Sequence, residues 1–275
     1  MMQYDFRLET GDRNAGTVYL PDNPSRPLPV VIHCHGWGGS IRRSPIEPIV
    51  SLSKALPTLP AALVDFDFFG CGETGGDYSE MTYGRWEQNL RDITAWVAGQ
   101  EWADPKKIGG FGISSGTTPL LRYAEQADDL AFVISTASCL GLFMNMPNSP
   151  ARVLVENQAT LLAGGTAEVF GQPFPLEFFL DYVGKAPVYH LAEMRCPVLF
   201  LQGKQDNIWR RADAWIGYQS LLAKGLPVKY VEIEGGDHGL SLVPDIVVNE
   251  IIAWLGEIGL ADLAGEGVSR KSAGR

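Results

Sequence analysis

The chain has 275 residues, 45% hydrophobic and 20% charged, which is long enough for one α/β domain with an insertion and too apolar for a disordered chain. Its 22 basic and 32 acidic residues leave a net charge of −10, which repels phosphate backbones and anionic bilayers. Neither nucleic acid nor a membrane surface is expected as a partner.

Met1 to Asp12 mixes Tyr, Asp, Arg and Glu without an apolar stretch, so no signal peptide is expected. No apolar run approaches membrane-spanning length. Alternation at Gln3–Glu9 and Ala15–Leu20 predicts a hairpin turned at Gly11–Asn14. Nearly continuous apolar runs follow at Leu28–Cys34, Ala61–Phe68, Lys107–Phe111, Leu130–Thr136, Pro197–Gln202 and Val228–Ile233. Such runs suit central strands covered on both faces. Helical patterns lie between them at Pro45–Leu56, Gly84–Gly99, Thr117–Gln126, Arg210–Lys224 and Pro244–Leu255. This alternation calls for an α/β fold with a mostly parallel, doubly wound sheet.

The alternation breaks between Cys139 and Arg195, where no strand is predicted. Short helical stretches are expected instead at Arg152–Ala163, Leu176–Val183 and Val188–Met194, separated by Gly164–Gly165 and by Pro173 and Pro175. A structureless loop of that length is implausible in a compact domain, so residues 140–194 read as an inserted helical cap. Residues 1–139 and 195–260 form the core, and 261–275 is a small, polar tail that frays. The four cysteines (Cys34, Cys71, Cys139, Cys196) are scattered without CxxC spacing and read as buried thiols of a cytoplasmic protein.

The strongest local signal is Gly112-Ile113-Ser114-Ser115-Gly116, directly after one predicted strand and before a helix. A nucleophile on a sharp strand-to-helix turn has a strained backbone, and side chains two residues to either side would collide with it. Ser114 has glycine at both of those positions, whereas Ser115 has Ile113 and Thr117. A serine hydroxyl needs a base, usually a histidine oriented by a carboxylate. His238, in Gly235-Gly236-Asp237-His238-Gly239, follows the last predicted strand, where a doubly wound sheet builds its site. Asp206 stands just beyond the strand Pro197–Gln202, and Ser, Asp, His is the order expected for such a site. Asp237 competes for the acid role. Sequence neighbours rarely aim at one another, so a turn or capping role is assigned to it. His33-Cys34-His35-Gly36-Trp37-Gly38-Gly39 supplies a glycine turn after an early strand, and the Trp37 and Ser115 N–H groups are assigned as the oxyanion hole. His33 and His35 lack a third ligand at suitable spacing, so no metal site is assigned.

With these segments in hand, the chain resembles α/β-hydrolases of the serine-esterase and serine-aminopeptidase-like group, and is especially similar to bacterial cinnamoyl (feruloyl) esterases. The likeness rests on His35-Gly36-Trp37-Gly38, Asp67-Phe68-Phe69-Gly70-Cys71-Gly72-Glu73-Thr74, the serine turn, Gln202–Asp206 and Asp237-His238-Gly239, and spans about Leu28 to Leu255. It implies eight strands, helices on both faces, and a cap after the sixth strand, with Asp67–Thr74 a structural loop near the site. The sequence departs from the family pattern at Cys71 and Thr74, where His and Ser are common, and at Ser115, where Gln or Met is common.

The expected function is ester hydrolysis through an acyl-enzyme by Ser114, Asp206 and His238, without metal or organic cofactor. The substrate is expected to be a small-molecule ester, either short-chain or aryl. Phe143, Met144, Met146, Phe170, Phe174, Phe178, Phe179 and Tyr182 crowd the insertion, and Phe143, Phe174, Phe178 and Tyr182 are the candidates to line a substrate pocket. A peptidase or thioesterase using the same three residues stays open, as does a binding protein on this scaffold.

Overall fold

The computed structural model describes residues 2–22, 27–37, 61–141, 149–208 and 211–260. An antiparallel hairpin of β1 (Met2–Arg7) and β2 (Ala15–Leu20) leads into β3 (Leu28–Cys34) and β4 (Ala62–Phe66). After α1 (Tyr83–Ala98) come β5 (Ala103–Ile113), α2 (Thr117–Gln126) and β6 (Phe132–Thr136). The chain closes with β9 (Val198–Gly203), α6 (Arg211–Lys224), β10 (Val228–Ile233) and α7 (Pro244–Glu257). Eight strands form one sheet in the order β1-β2-β4-β3-β5-β6-β9-β10. It is parallel from β4 to β10, and β2 runs antiparallel to both of its neighbours.

The unbroken apolar runs exist because both faces of the parallel strands are covered. Along β3, Val30 and Ile32 join the core under α1 and α2, while Val31 joins the core under α7. Val198 and Phe200 of β9 alternate in the same way with Leu199 and Leu201. Trp86, Leu90, Ile93 and Val97 recur at helical spacing along α1 and are fully buried. Each contributes roughly 1.5–3 kcal/mol by leaving water. Every cysteine is a buried free thiol. Among the described residues no helix is long and apolar enough to cross a membrane.

Between β6 and β9 the prediction needs correction. The insertion holds α3 (Pro150–Glu156), α4 (Gln158–Leu162) and α5 (Leu176–Gly184), but also a hairpin of β7 (Ala167–Val169) and β8 (Gln172–Phe174). Three-residue strands are too short to show a period of two, and Pro173 reads as a strand breaker. The single helix expected over Arg152–Ala163 is divided at Asn157, and Val188–Met194 forms two single 3-10 turns, Pro187–Tyr189 and Leu191–Glu193. The helix expected at Pro45–Leu56 and the tail at 261–275 lie outside the described residues.

The insertion is tied to the core through α1. The Asp181 carboxylate accepts from the Gly84 backbone N–H at 3.0 Å, while Thr82 accepts from Arg85 N–H at 3.1 Å. Together they cap the amides that a helix start leaves free. Lys185 Nζ reaches Glu87 at 2.8 Å, and the Tyr182 hydroxyl donates to Gly141 O at 3.1 Å.

Candidate active site

Ser114 leaves β5 with φ at +53°, a left-handed conformation unusual for a residue with a side chain, and a single 3-10 turn leads from it into α2. The strain is held from several sides. Thr117 Oγ1 donates to Ser114 O at 2.6 Å and accepts from Cys139 N–H at 2.8 Å. Gly116 packs so closely that a Cβ there would lie 2.2 Å from His35 O and 2.3 Å from Cys34 O. Only glycine permits that approach, which binds the serine turn to the loop after β3.

His238 and Asp206 come from neighbouring strand ends. Backbone bonds from Lys204 N–H to Ile233 O (3.0 Å) and from Gln205 N–H to Gly236 O (2.9 Å) zip the loop after β9 to the loop after β10. As a result, His238 Nδ1 lies 3.0 and 3.1 Å from the two Asp206 oxygens. That carboxylate also accepts from Gln202 Nε2 and Ile208 N–H, each at 2.9 Å, and its side chain is buried. A carboxylate only accepts, so Nδ1 carries the hydrogen and Nε2 is left as the acceptor. His238 Nε2 stands 2.9 Å from Ser114 Oγ. The three residues singled out in sequence are thus joined in one hydrogen-bonded line.

Asp237 stands apart from that line, its carboxylate accepting from Ser241 Oγ at 2.8 Å, which is a local turn role. His35 Nδ1 lies 2.8 Å from Gly36 O, and its Nε2 accepts from Phe68 N–H at 3.0 Å. His33 sits in the sheet 2.7 Å from Asp65. Burial lowers the His33 pKa to about 3 and that of His35 to about 4, so both rings are neutral buried groups. No cluster of metal-ligating side chains occurs among the described residues. The Asp67–Thr74 segment is a structural loop: Asp67 accepts from Glu73 N–H at 2.8 Å and Thr74 Oγ1 accepts from Ala15 N–H at 3.0 Å.

Gly36 lies against the serine, where a Cβ would stand 3.2 Å from Ser114 Cβ. Trp37 follows it, and Gly38 and Gly39 lie outside the described residues. Ser114, Ser115, Trp37 and His238 open into a cavity of about 320 Å³ whose walls are largely apolar. Ser115 Oγ is buried without a hydrogen-bond partner.

Of the predicted pocket residues, Tyr182 lines the cavity. Phe174 and Phe178 instead stack on each other at 4.1 Å and support Trp37 at 5.4 and 5.9 Å. Phe143 lies outside the described residues, as do Met144 and Met146. Sequence reasoning missed Tyr83, Cys139, Pro150 and Ile208, which also line the cavity. They come from four separate segments and carry no local signal. Cys139 also lines the wall, but burial pushes its thiol up to about 12, with Asp213 adding to the shift. It remains a protonated thiol at neutral pH, the unreactive form.

A family model described as X-Pro dipeptidyl-peptidase (S15 family) matches residues 10–173, more than half of the chain. An uncharacterised protein of Mycobacterium tuberculosis is 27% identical over 241 residues, covering 85% of this chain and 72% of that protein. Among solved structures, Est1E from Butyrivibrio proteoclasticus with ferulic acid bound superposes with a TM-score of 0.72 at 16% identity, over 90% of this chain and 96% of that one. A puromycin-hydrolysing peptidase of Mycobacterium tuberculosis also gives a TM-score of 0.72, at 21% identity, over 96% of this chain and 40% of the larger one. The sheet described above is the α/β-hydrolase sheet these structures share.

Proposed function

The chain belongs to the X-Pro dipeptidyl-peptidase (S15) family, and we propose that it is a serine carboxylesterase acting on short-chain or aryl, hydroxycinnamoyl-type esters. One observation carries the reading: the line Ser114–His238–Asp206 opens into a small apolar cavity. His238 Nε2, the acceptor facing Ser114 Oγ, takes the hydroxyl proton as the oxygen attacks the ester carbonyl. Asp206 holds the ring by Nδ1 and stabilises the imidazolium that forms. The Trp37 and Ser115 amides stabilise the oxyanion, which the close approach of Gly36 to Ser114 favours. The imidazolium then protonates the departing alcohol, and water, deprotonated by His238, releases the acid.

A peptidase reading has the family match in its favour. An X-Pro dipeptidyl-peptidase must take up the free ammonium of its substrate's N-terminus, and a buried ammonium without an acceptor is costly. The described residues lining this cavity include no Asp or Glu, which favours an uncharged acyl group. The cavity is at the small end of ligand pockets, which disfavours a palmitoyl chain. The test is kcat/KM for methyl ferulate, p-nitrophenyl butyrate, p-nitrophenyl palmitate and Gly-Pro-p-nitroanilide on one preparation. The first two are expected to be cleaved well and the last two poorly. Cleavage of the anilide with the esters untouched would replace esterase by peptidase, and a preference for palmitate would overturn the small-pocket argument.

A further inference from the structure

The hairpin β7–β8 turns on two residues, Phe170 and Gly171, with φ of +50° and +77°. Positive φ at both central residues is the pattern of a type I′ turn, whose first position strongly favours Asn, Asp or Gly. Phenylalanine there is an outlier, since a bulky side chain is strained in the left-handed region. Burial offsets the strain only in part, because Phe170 remains 43% exposed while Ala167, Val169 and Phe174 of the same hairpin are buried. The ring nevertheless has a definite place. It meets Trp37 at 5.6 Å between centroids, and both residues line the cavity that contains Ser114. A strained backbone that delivers a half-exposed aromatic ring to the mouth of a reactive cavity points to a role completed only when substrate is bound.

We propose that Phe170 is a specificity-determining residue, the outer aromatic wall against which the planar acyl group of an aryl ester packs as Ser114 attacks. Trp37, braced from behind by Phe174 and Phe178, forms the adjoining wall. The inference rests on the aryl-esterase reading above and goes further by naming the residue that selects the acyl group.

The turn itself supplies the experiment. Phe170→Asn replaces the ring with the residue that the turn prefers, so the variant should melt at or above the wild-type temperature while its selectivity falls. The measurement is the ratio of kcat/KM for methyl ferulate to that for methyl butyrate, which share a leaving group, together with Tm. Loss of one aromatic contact should lower the ratio roughly threefold to tenfold, mainly through KM. Phe170→Leu should show the same loss with apolar bulk retained, and serves if the Asn variant fails to fold. Phe170→Tyr should restore the ratio. If the wild type prefers the ferulate and the Asn and Leu variants keep that preference, Phe170 is not the wall and the proposal falls while the esterase reading stands. If both esters decline in parallel, Phe170 acts by supporting the Trp37 loop, and the proposal falls as well. If the wild type shows no preference for the ferulate, the aryl reading fails first and takes the wall with it.

Discussion

Two regions meet at the cavity, and they are built in different ways. On the floor, Ser114, Asp206 and His238 sit at the ends of β5, β9 and β10, where backbone hydrogen bonds and close glycine contacts set their positions. Above them, the insertion between β6 and β9 is made of short helices and a hairpin of two three-residue strands. It is held by aromatic packing and by polar ties such as Asp181 to Gly84 N–H and Lys185 to Glu87. The floor is specified by geometry that few residues can satisfy. The roof is specified by bulk and by anchors that many sequences could provide. Substitutions in the floor should therefore act on turnover, and substitutions in the roof on selectivity and stability.

The largest effects test the floor. Ser114→Ala should lose at least about three orders of magnitude in kcat, and Asp206→Asn on the order of 10²–10⁴, with the fold retained. Ser115→Ala should stay within roughly tenfold, because alanine keeps the main-chain N–H assigned to the oxyanion. Asp237→Asn should be far milder than Asp206→Asn, since its carboxylate serves Ser241. Fluorophosphonate labelling followed by peptide mapping checks the serine. Label on Ser115, or an Asp237 variant worse than the Asp206 one, would show the floor to be differently wired.

A smaller effect links the floor to pH. Burial lowers the His35 pKa to about 4, and Nε2 already accepts a hydrogen bond from the Phe68 backbone N–H, so protonation would break that bond. The unfolded ring titrates near 6.5. Between these values the unfolded chain binds a proton that the folded one does not, so stability present above pH 6.5 is lost as pH falls towards 4. The shift corresponds to about 3 kcal/mol over that window. Urea unfolding of wild type and His35→Gln at pH 7 and pH 4.5 reads it, the variant being expected to show the shallower pH dependence. Equal pH dependence would mean that His35 protonates as readily folded as unfolded.

The smallest expected effect tests the roof. Asp181→Ala removes an acceptor from the start of α1 and should lower stability by ~1–2 kcal/mol, or a few degrees in Tm. Ser114 should still take up a small fluorophosphonate, while KM for methyl ferulate rises. A fall in labelling comparable to that of Asp206→Asn would show that the insertion supports the chemistry directly, and the distinction between floor and roof would collapse.

Legibility in the sequence follows the same division. The parallel strands were readable because burial on both faces demands continuous apolar runs, as at Leu28–Cys34 and Pro197–Gln202. The serine turn was readable because its crowding demands glycine at fixed offsets, and His238 because it follows the last strand. The hairpin at Ala167–Phe174 was not readable, since its strands are shorter than any detectable period and its turn uses Phe170 where Asn would have been the signal. Phe174 and Phe178 looked like pocket residues because composition shows that an aromatic ring is present but not which way it faces.

The sequence by itself determined the chain order of the eight sheet strands and of the described helices outside the insertion, and the three polar residues at the strand ends, because backbone sterics and burial act through local, periodic patterns. The tertiary structure alone decided which nitrogen of His238 faces Ser114, that Gln202 and Ile208 hold the Asp206 carboxylate, and that Tyr83, Cys139, Pro150 and Ile208 share a wall with Phe170. Those facts depend on side-chain directions and on contacts between segments far apart in the chain, and no local pattern records them.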